Sequence, residues 1–493
     1  MSKKIVIIGS GFGALSAACL LAKSGYKVSV YEKNEQPGGR ASVLRQSGFT
    51  FDMGPSWFMM PDVFDRFFGE FGKKTTDLLE LVHLDPEYRV VFEDGQKIDV
   101  PASANKARAL FESMEPGAGK KFDEYLQDSQ MKYDLAIKSV LYKNVDNLLG
   151  MLSPDIIKCG SNLDVFLPIH RLITKYFQNP KIQQILEYNL VFLGCSPDNA
   201  PALFSMMAHV DFNLGIYYPM GGMGKVVEAI VKIATDLGVE FHYNSPVEQI
   251  ITEGDQVVGI RVAGKLIKAD VVVSNADLKF TEDILSDQSK RQYSDKYWNK
   301  KTLTPSAFLL YLGIKGEVDI SHHTLYFGND WKPHFRDIFD NPAWPVAPSL
   351  YINNPSVTDS GLAPKGHQAL MVLVPVAAGL PDSADWNKHY GDYIIDYIDT
   401  NMKLSLKDKI VFRTQFSVSD FASRYNSYQG NALGGLAHTL LQSAVWRPSN
   451  KNSQLKNLFF AGANTVPGIG VPPAIISGHL VEDRVRKYLG DTA

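Results

Sequence analysis

The chain has 493 residues, a net charge of −3, 45% hydrophobic residues and 21% charged ones. That length exceeds a single ordinary core, so two or three structural units are expected, and the composition is that of a folded globular protein, not a disordered one. No basic run or stripe points to nucleic acid, and Cys19, Cys159 and Cys195 show neither a pairing nor a C-x-x-C spacing, so a reduced, cytoplasmic setting without structural disulfides is expected.

Residues 5–22 follow two lysines and carry no charge, a pattern that a signal peptide or membrane helix shares. Gly9, Gly11 and Gly13 interrupt the run and would weaken a continuous helix. The parse is therefore strand, turn, helix. Ile5, Val6, Ile7 and Ile8 form the apolar, β-branched run of a strand covered on both faces. Gly9-Ser10-Gly11-Phe12-Gly13-Ala14 then matches G-x-G-x-x-G/A. Gly9 permits a tight turn, Gly11 lets a pyrophosphate approach the backbone, and Ala14 is small enough for helix to pack on strand. A helix over 12–24 would aim its free N–H groups and positive dipole end at the phosphates. A second strand over 26–31 closes at Glu32, where a carboxylate can bind ribose hydroxyls and disfavours a 2′-phosphate, and with it NADP.

Farther on, amphipathic helices are expected over 107–114 and 121–140. The apolar stretch 147–177, with basic residues between, suits either a core-facing helical layer or a bilayer surface. An amphipathic helix is expected over 226–237, a hairpin through Val257-Val258-Gly259-Ile260, and a strand over 268–273 ending at Ser274-Asn275-Ala276-Asp277. Hydrophobic strands are expected over 307–314 and 368–374. A strand over 457–461, a glycine-rich turn and a helix over 473–488 end the chain; prolines suit that helix's first turn, and the glycines let the backbone lie against a planar ligand. No metal-ligand spacing appears among the histidines; His322 and His323 are adjacent and cannot share one face of a strand.

Gln36-Pro37-Gly38-Gly39-Arg40 resembles the G-G-R/K motif of the flavoprotein amine oxidase and carotenoid desaturase superfamily, and Asp52-Met53-Gly54-Pro55-Ser56 resembles its next element. Gly462-Ala463, Pro467-Gly468-x-Gly470-x-Pro472 and Ser477-Gly478 resemble the C-terminal signature of bacterial-type phytoene desaturases. Many of those carry Thr-His-Pro-Gly where this chain has Thr465-Val466-Pro467-Gly468, so any chemical role of that histidine is not available to Val466.

The resemblance implies FAD, held by Gly9, Gly11, Phe12, Gly13, Ala14, Glu32 and Lys33, then by Gly38, Gly39 and Arg40 near the pyrophosphate. Gly54, Pro55 and Ser56 would pass near the isoalloxazine, the Val247 backbone and Asn275 would serve the middle of the site, and Gly462, Ala463, Asn464, Gly470, Val471 and Pro472 would contact the ring and ribityl chain. The fold implied is α/β: a discontinuous, three-layer Rossmann-like FAD domain (1–85, 205–290, 440–493). Inserts at 86–204 and 291–439 would add a mixed substrate sheet and a helical, membrane-facing layer. The activity implied is desaturation of phytoene or a related long polyene, with a hydride passing to flavin N5 and a proton leaving the adjacent carbon. Desaturation of dehydrosqualene or of hydroxylated carotenoids, carotenoid isomerisation, and a non-catalytic isoprenoid chaperone of the same fold are the alternatives. A peripheral position on the inner face of the cell membrane, and oxygen or a quinone as electron acceptor, are further implications; a second nucleotide fingerprint is absent. No catalytic residue is singled out, but Asp52, Asp211 and Glu187 are the carboxylates to inspect as proton acceptors, each with a structural role as the simpler expectation.

Overall fold

A computed structural model describes residues 2–145 and 163–491. Most of the apolar stretch expected to form a helical layer, and Cys159, lie outside the described residues. The strand Lys4–Ile8 is buried from Ile5 onward and sits at the centre of a parallel sheet. The order across that sheet is Leu458–Phe460, Val271–Ser274, Lys4–Ile8, Lys27–Tyr31 and Glu240–His242. Strands from the start, middle and end of the chain thus lie side by side.

On one face of this sheet the helices Phe12–Lys23, Gly224–Asp236 and Val471–Leu489 share a core. The first and last cross so closely that a Cβ on Gly478 would stand 2.6 Å from Ser16 Cβ and 2.7 Å from the Ala17 nitrogen. Ser16 Oγ donates to the Ile475 carbonyl at 2.8 Å across the same crossing. The last helix begins two residues earlier than its sequence suggested, with Pro472 and Pro473 in its first turn, where a missing N–H costs nothing.

The other face carries a three-stranded antiparallel sheet, Val247–Glu253, Gln256–Val262 and Lys265–Lys268. The single strand expected over 268–273 is therefore two. The exposed Lys265–Lys268 completes the hairpin sheet, the chain crosses over at Ala269 and Asp270, and the fully buried Val271–Ser274 enters the parallel sheet. Asp270 fixes the crossing by accepting from the Lys4 backbone nitrogen at 2.8 Å.

A second, seven-stranded mixed sheet runs in the order Ile410–Phe416, Ser306–Lys315, His367–Val376, Leu350–Asn353, His323–Phe327, Tyr88–Phe92 and Lys97–Val100. Its longest pairing is antiparallel, from Ser306 opposite Val376 to Lys315 opposite His367. Side chains alternate faces: Phe308, Leu310, Leu312 and Ile314 pack towards the helix Ala384–Met402, and Ala307, Leu309 and Tyr311 towards the interior of the molecule. With both faces covered, these strands read as continuous hydrophobic runs. The helices Ala104–Met114, Ala118–Ala136, Ile169–Tyr176 and Pro180–Glu187 complete that interior. In the described part of the 147–177 stretch, Ile169, Leu172 and Ile173 point into the core. Among the described residues no helix is long and apolar enough to cross a membrane.

Candidate functional site

The strand Lys4–Ile8 ends at Gly9, whose φ of +86° suits glycine and whose nitrogen donates to the Tyr31 carbonyl at 2.8 Å. Two glycines of the turn are there because another segment arrives. A Cβ on Gly11 would lie 2.6 Å from Asn275 Oδ1, and one on Gly13 would lie 2.6 Å from the Gly462 nitrogen and 2.8 Å from its Cα. Asn275 ties the three strands' ends together: its backbone nitrogen donates to the Ile8 carbonyl at 2.8 Å and its Nδ2 to the Ala461 carbonyl at 2.9 Å. Gly462 in turn donates to Ser477 Oγ at 2.7 Å.

Glu32 is buried, and its two oxygens are both used. Oε2 accepts from the Ser10 nitrogen at 2.9 Å and Ser10 Oγ at 2.7 Å, and Oε1 accepts from the Asn34 nitrogen at 2.9 Å. Lys33 turns its ammonium to the Ser423 carbonyl at 2.6 Å and Asn426 Oδ1 at 2.9 Å. Gly38, at φ +104°, donates to the Ser10 carbonyl at 2.9 Å, which folds the Gly38-Gly39-Arg40 loop onto the glycine turn. Gly54 passes so close beneath it that a Cβ would meet the Arg40 carbonyl oxygen at 2.6 Å. The Arg40 Nη2 donates to Ser427 Oγ at 2.8 Å and to the Asn431 carbonyl at 3.3 Å, and its Nε is buried without a partner. Asp277 accepts from the Lys279 nitrogen at 3.0 Å and starts the helix Leu278–Asp283. Burial pushes its carboxyl up and Arg40 opposes that shift.

These segments open on one cavity of ≈880 Å³. Every residue expected from the resemblance lines it except Ala14, which is fully buried and serves only to pack helix on strand. Beyond the glycines the cavity continues as an apolar arm, walled by residues such as Met60, Val140, Phe166, Phe192, Phe204 and Met207. Sequence reasoning missed this arm because its walls come from several separate segments with no local motif.

A buried polar chain reaches the cavity wall at Ser56 and Tyr351. Ser56 Oγ is 2.8 Å from Tyr351 Oη, which is 2.7 Å from His323 Nδ1, and the Trp57 ring stacks on His323 with centroids 4.0 Å apart. Burial holds the His323 imidazole far below its usual proton affinity. Val466 lines the cavity as an apolar surface. An imidazole does sit on its loop, but it comes from His438, whose Nε2 accepts from the Ile469 nitrogen at 3.1 Å.

None of the three carboxylates singled out in the sequence lines the cavity. Asp52 accepts from the Met223 nitrogen at 2.8 Å and the Gly224 nitrogen at 3.1 Å, capping the helix Gly224–Asp236, and burial pushes it up to about 6. Glu187 is paired with His170 Nδ1 at 2.8 Å. Asp211 is buried beside Tyr188 and Glu87 and is pushed up to about 8 by burial.

A glycine cradle built from both chain ends, with a buried acid and an arginine lining the same cavity, has the form of a nucleotide-dependent oxidoreductase of the two-sheet flavoprotein type. Solved structures with this fold include an oxidoreductase from Methanosarcina mazei (TM-score 0.63, 18% identity, 97% of this chain and 100% of that one). A fatty acid isomerase from P. acnes also has it (TM-score 0.59, 15% identity, 98% of each chain). Residues 15–485 match the model of the flavin containing amine oxidoreductase family, and the chain belongs to that family. Its curated relatives include a carotenoid 3,4-desaturase from Haloarcula japonica, 47% identical over 97% of this chain and 98% of that protein. Another is a zeta-carotene-forming phytoene desaturase from Myxococcus xanthus, 34% identical over 99% and 94% respectively.

Proposed function

We propose that the protein is an FAD-dependent carotenoid desaturase that introduces C=C bonds into a long polyene. The observation that carries this reading is continuity: one cavity is lined by both the glycine cradle and the apolar arm, so a cofactor and a water-insoluble chain can lie side by side in it. The residues fit FAD. The glycine turn, Glu32 and Arg40 all line the cavity, and the Arg40 Nε is buried without a partner and so is free to donate. The start of the helix Phe12–Lys23 would hold the pyrophosphate, with Arg40 behind it, Glu32 the ribose, the Val247 backbone the adenine, and the Gly54–Ser56 and Gly462–Pro472 segments the ring and its ribityl chain. When bound, the flavin supplies the two-electron acceptor for hydrogen taken from a C–H bond. This chain's residues do the rest: the arm orients the polyene, and the stacked Trp57 and the Ser56–Tyr351 pair form part of its wall.

The Haloarcula relative, at 47% identity, favours the 3,4-position of a carotenoid as the bond oxidised. Delivery from the inner face of the cell membrane is supported by exposed apolar residues beside the cavity. Phe166, Leu441 and Trp446 are 52%, 67% and 45% exposed, and Phe166, Ala444 and Val445 line the cavity; such a patch suits an apolar surface. Oxygen or a membrane quinone fits as acceptor, since the sequence carries one nucleotide fingerprint.

The test is expression in hosts that make phytoene or its acyclic derivatives, with pigments read by absorption spectrum. A longer chromophore supports the reading; unchanged pigments with every precursor overturn it. A purified protein that binds the polyene yet never turns yellow with FAD would be an isoprenoid-binding chaperone of the same fold. Leu441→Asp with Trp446→Asp should reduce sedimentation with anionic vesicles; equal sedimentation would remove the membrane assignment.

A further inference from the structure

His438 lies outside every motif that the sequence makes visible, yet its environment is tightly specified. It is 6% exposed. Its ring is pressed against Gly468, where a Cβ would collide with both Cε1 and Nε2, so that glycine is required for the imidazole to be there. Phe204 meets the ring edge-on with centroids 5.4 Å apart.

The tautomer follows from one hydrogen bond. Nε2 accepts from the Ile469 backbone nitrogen at 3.1 Å, so a neutral ring carries its proton on Nδ1. Neutrality is enforced by burial and by Arg447, whose guanidinium sits behind the same loop. Arg447 is itself buried and donates to carbonyl oxygens: those of Ala463 at 2.8 Å, Leu436 at 3.0 Å and Thr465 at 3.2 Å. No carboxylate pairs with it among the described residues. A second cation beside this uncompensated charge is strongly disfavoured. The Nδ1–H of His438 has no partner among the described residues, and the residue lines the cavity together with the Gly462–Ala463 turn and the Ile469–Pro473 segment.

We propose that His438 is a fixed, neutral hydrogen-bond donor to the bound flavin, its Nδ1–H meeting an acceptor atom, a carbonyl oxygen or unprotonated nitrogen, on the ring system. The inference rests on the FAD reading above. A hydrocarbon polyene offers no acceptor, whereas the flavin ring offers several, and the loop that holds His438 is the one whose residues surround that end of the cavity. A donor in a water-excluded site binds the more electron-rich reduced form more strongly than the oxidised one. His438, with the positive field of Arg447 behind it, therefore raises the flavin's affinity for electrons.

The test compares purified holoenzymes: wild type, His438→Leu, which removes the donor, and His438→Gln and His438→Asn, which keep an N–H. The midpoint potential is measured by equilibration with a reference dye, alongside the visible flavin bands and the FAD dissociation constant. Loss of one hydrogen bond should lower the reduced-to-oxidised ratio at a fixed dye poise about five- to tenfold in the Leu variant, with shifted flavin bands and substantial recovery in Gln. If Leu fails to fold, the Gln and Asn variants still decide the matter, because their different reach must give different potentials. Identical potentials and spectra in all flavin-loaded variants overturn the proposal. So does an unchanged potential with a raised KM for the polyene, which would assign the donor to the substrate. A wild-type protein that binds no flavin would instead sink the FAD reading itself, a failure visible before any variant is made.

Discussion

Replacing Gly13 with alanine tests whether the two ends of the chain meet in the cofactor cradle. In a helix interior alanine is better than glycine by about 0.5–1 kcal/mol, so with no neighbours the change would stabilise. Here the added methyl would stand 2.6 Å from the Gly462 nitrogen, 2.8 Å from Gly462 Cα and 3.0 Å from Asn275 Nδ2. The first two are backbone atoms and cannot rotate aside, so the turn after Ala461 must shift, at an overpacking cost of about 1–3 kcal/mol. The shift falls on the cradle itself. If that strain is expressed against the bound state, the FAD dissociation constant rises about 5- to 150-fold. Gly69→Ala is the control: Gly69 closes the helix Pro61–Gly69, and a Cβ there meets nothing within 4 Å. The assay is FAD binding by fluorescence quenching, with thermal unfolding of the apoprotein. A Gly13→Ala protein that binds FAD as wild type does and unfolds at a higher temperature would refute the close approach.

Glu32→Gln keeps the side chain's size, but its amide cannot accept from Ser10 and Asn34 through both ends as the carboxylate does. Leaving one of these donors unpaired costs about 1–3 kcal/mol, so FAD binding titrations should show affinity weakened by about 5- to 150-fold. Asp211 and Glu87 are pushed up to about 8 and about 9, by burial first and, for Glu87, by Asp211 second. In the unfolded chain such carboxyls titrate near 4. The folded state therefore binds more protons between these values, and stability falls as pH rises from about 4 through 9. Asp211→Asn with Glu87→Gln should flatten that fall in urea unfolding curves measured at pH 5 and pH 9; equally steep loss in wild type and double variant would contradict it.

The cradle was legible in the sequence because each of its parts obeys a local rule. The run Ile5–Ile8, the glycine turn, Glu32 and the Pro467–Pro473 loop all carry their signals within a few residues, and the structure brings them together. Gly13 was legible as part of the motif but its reason was not, since the atom it makes room for lies at Gly462. The run through Lys268 and Val271 read as one strand because both of its pieces favour extended backbone; which sheet each joins depends on burial, and Lys268 is exposed where Val271 is not. The apolar arm, the Ser56–Tyr351–His323 chain and His438 could not be read, because each depends on contacts between segments that share no spacing.

The parallel sheet places Val271–Ser274 between the first strand of the chain and Leu458–Phe460. During synthesis that middle strand therefore waits with one edge unpaired until residues near 460 leave the ribosome. Completion of the cavity wall is correspondingly a late event, coupled to docking of the final helix on Ser16 and Ala17. Nascent chains stalled short of that helix should be colourless and prone to associate through the open edge, and the appearance of yellow colour would report completion of the fold.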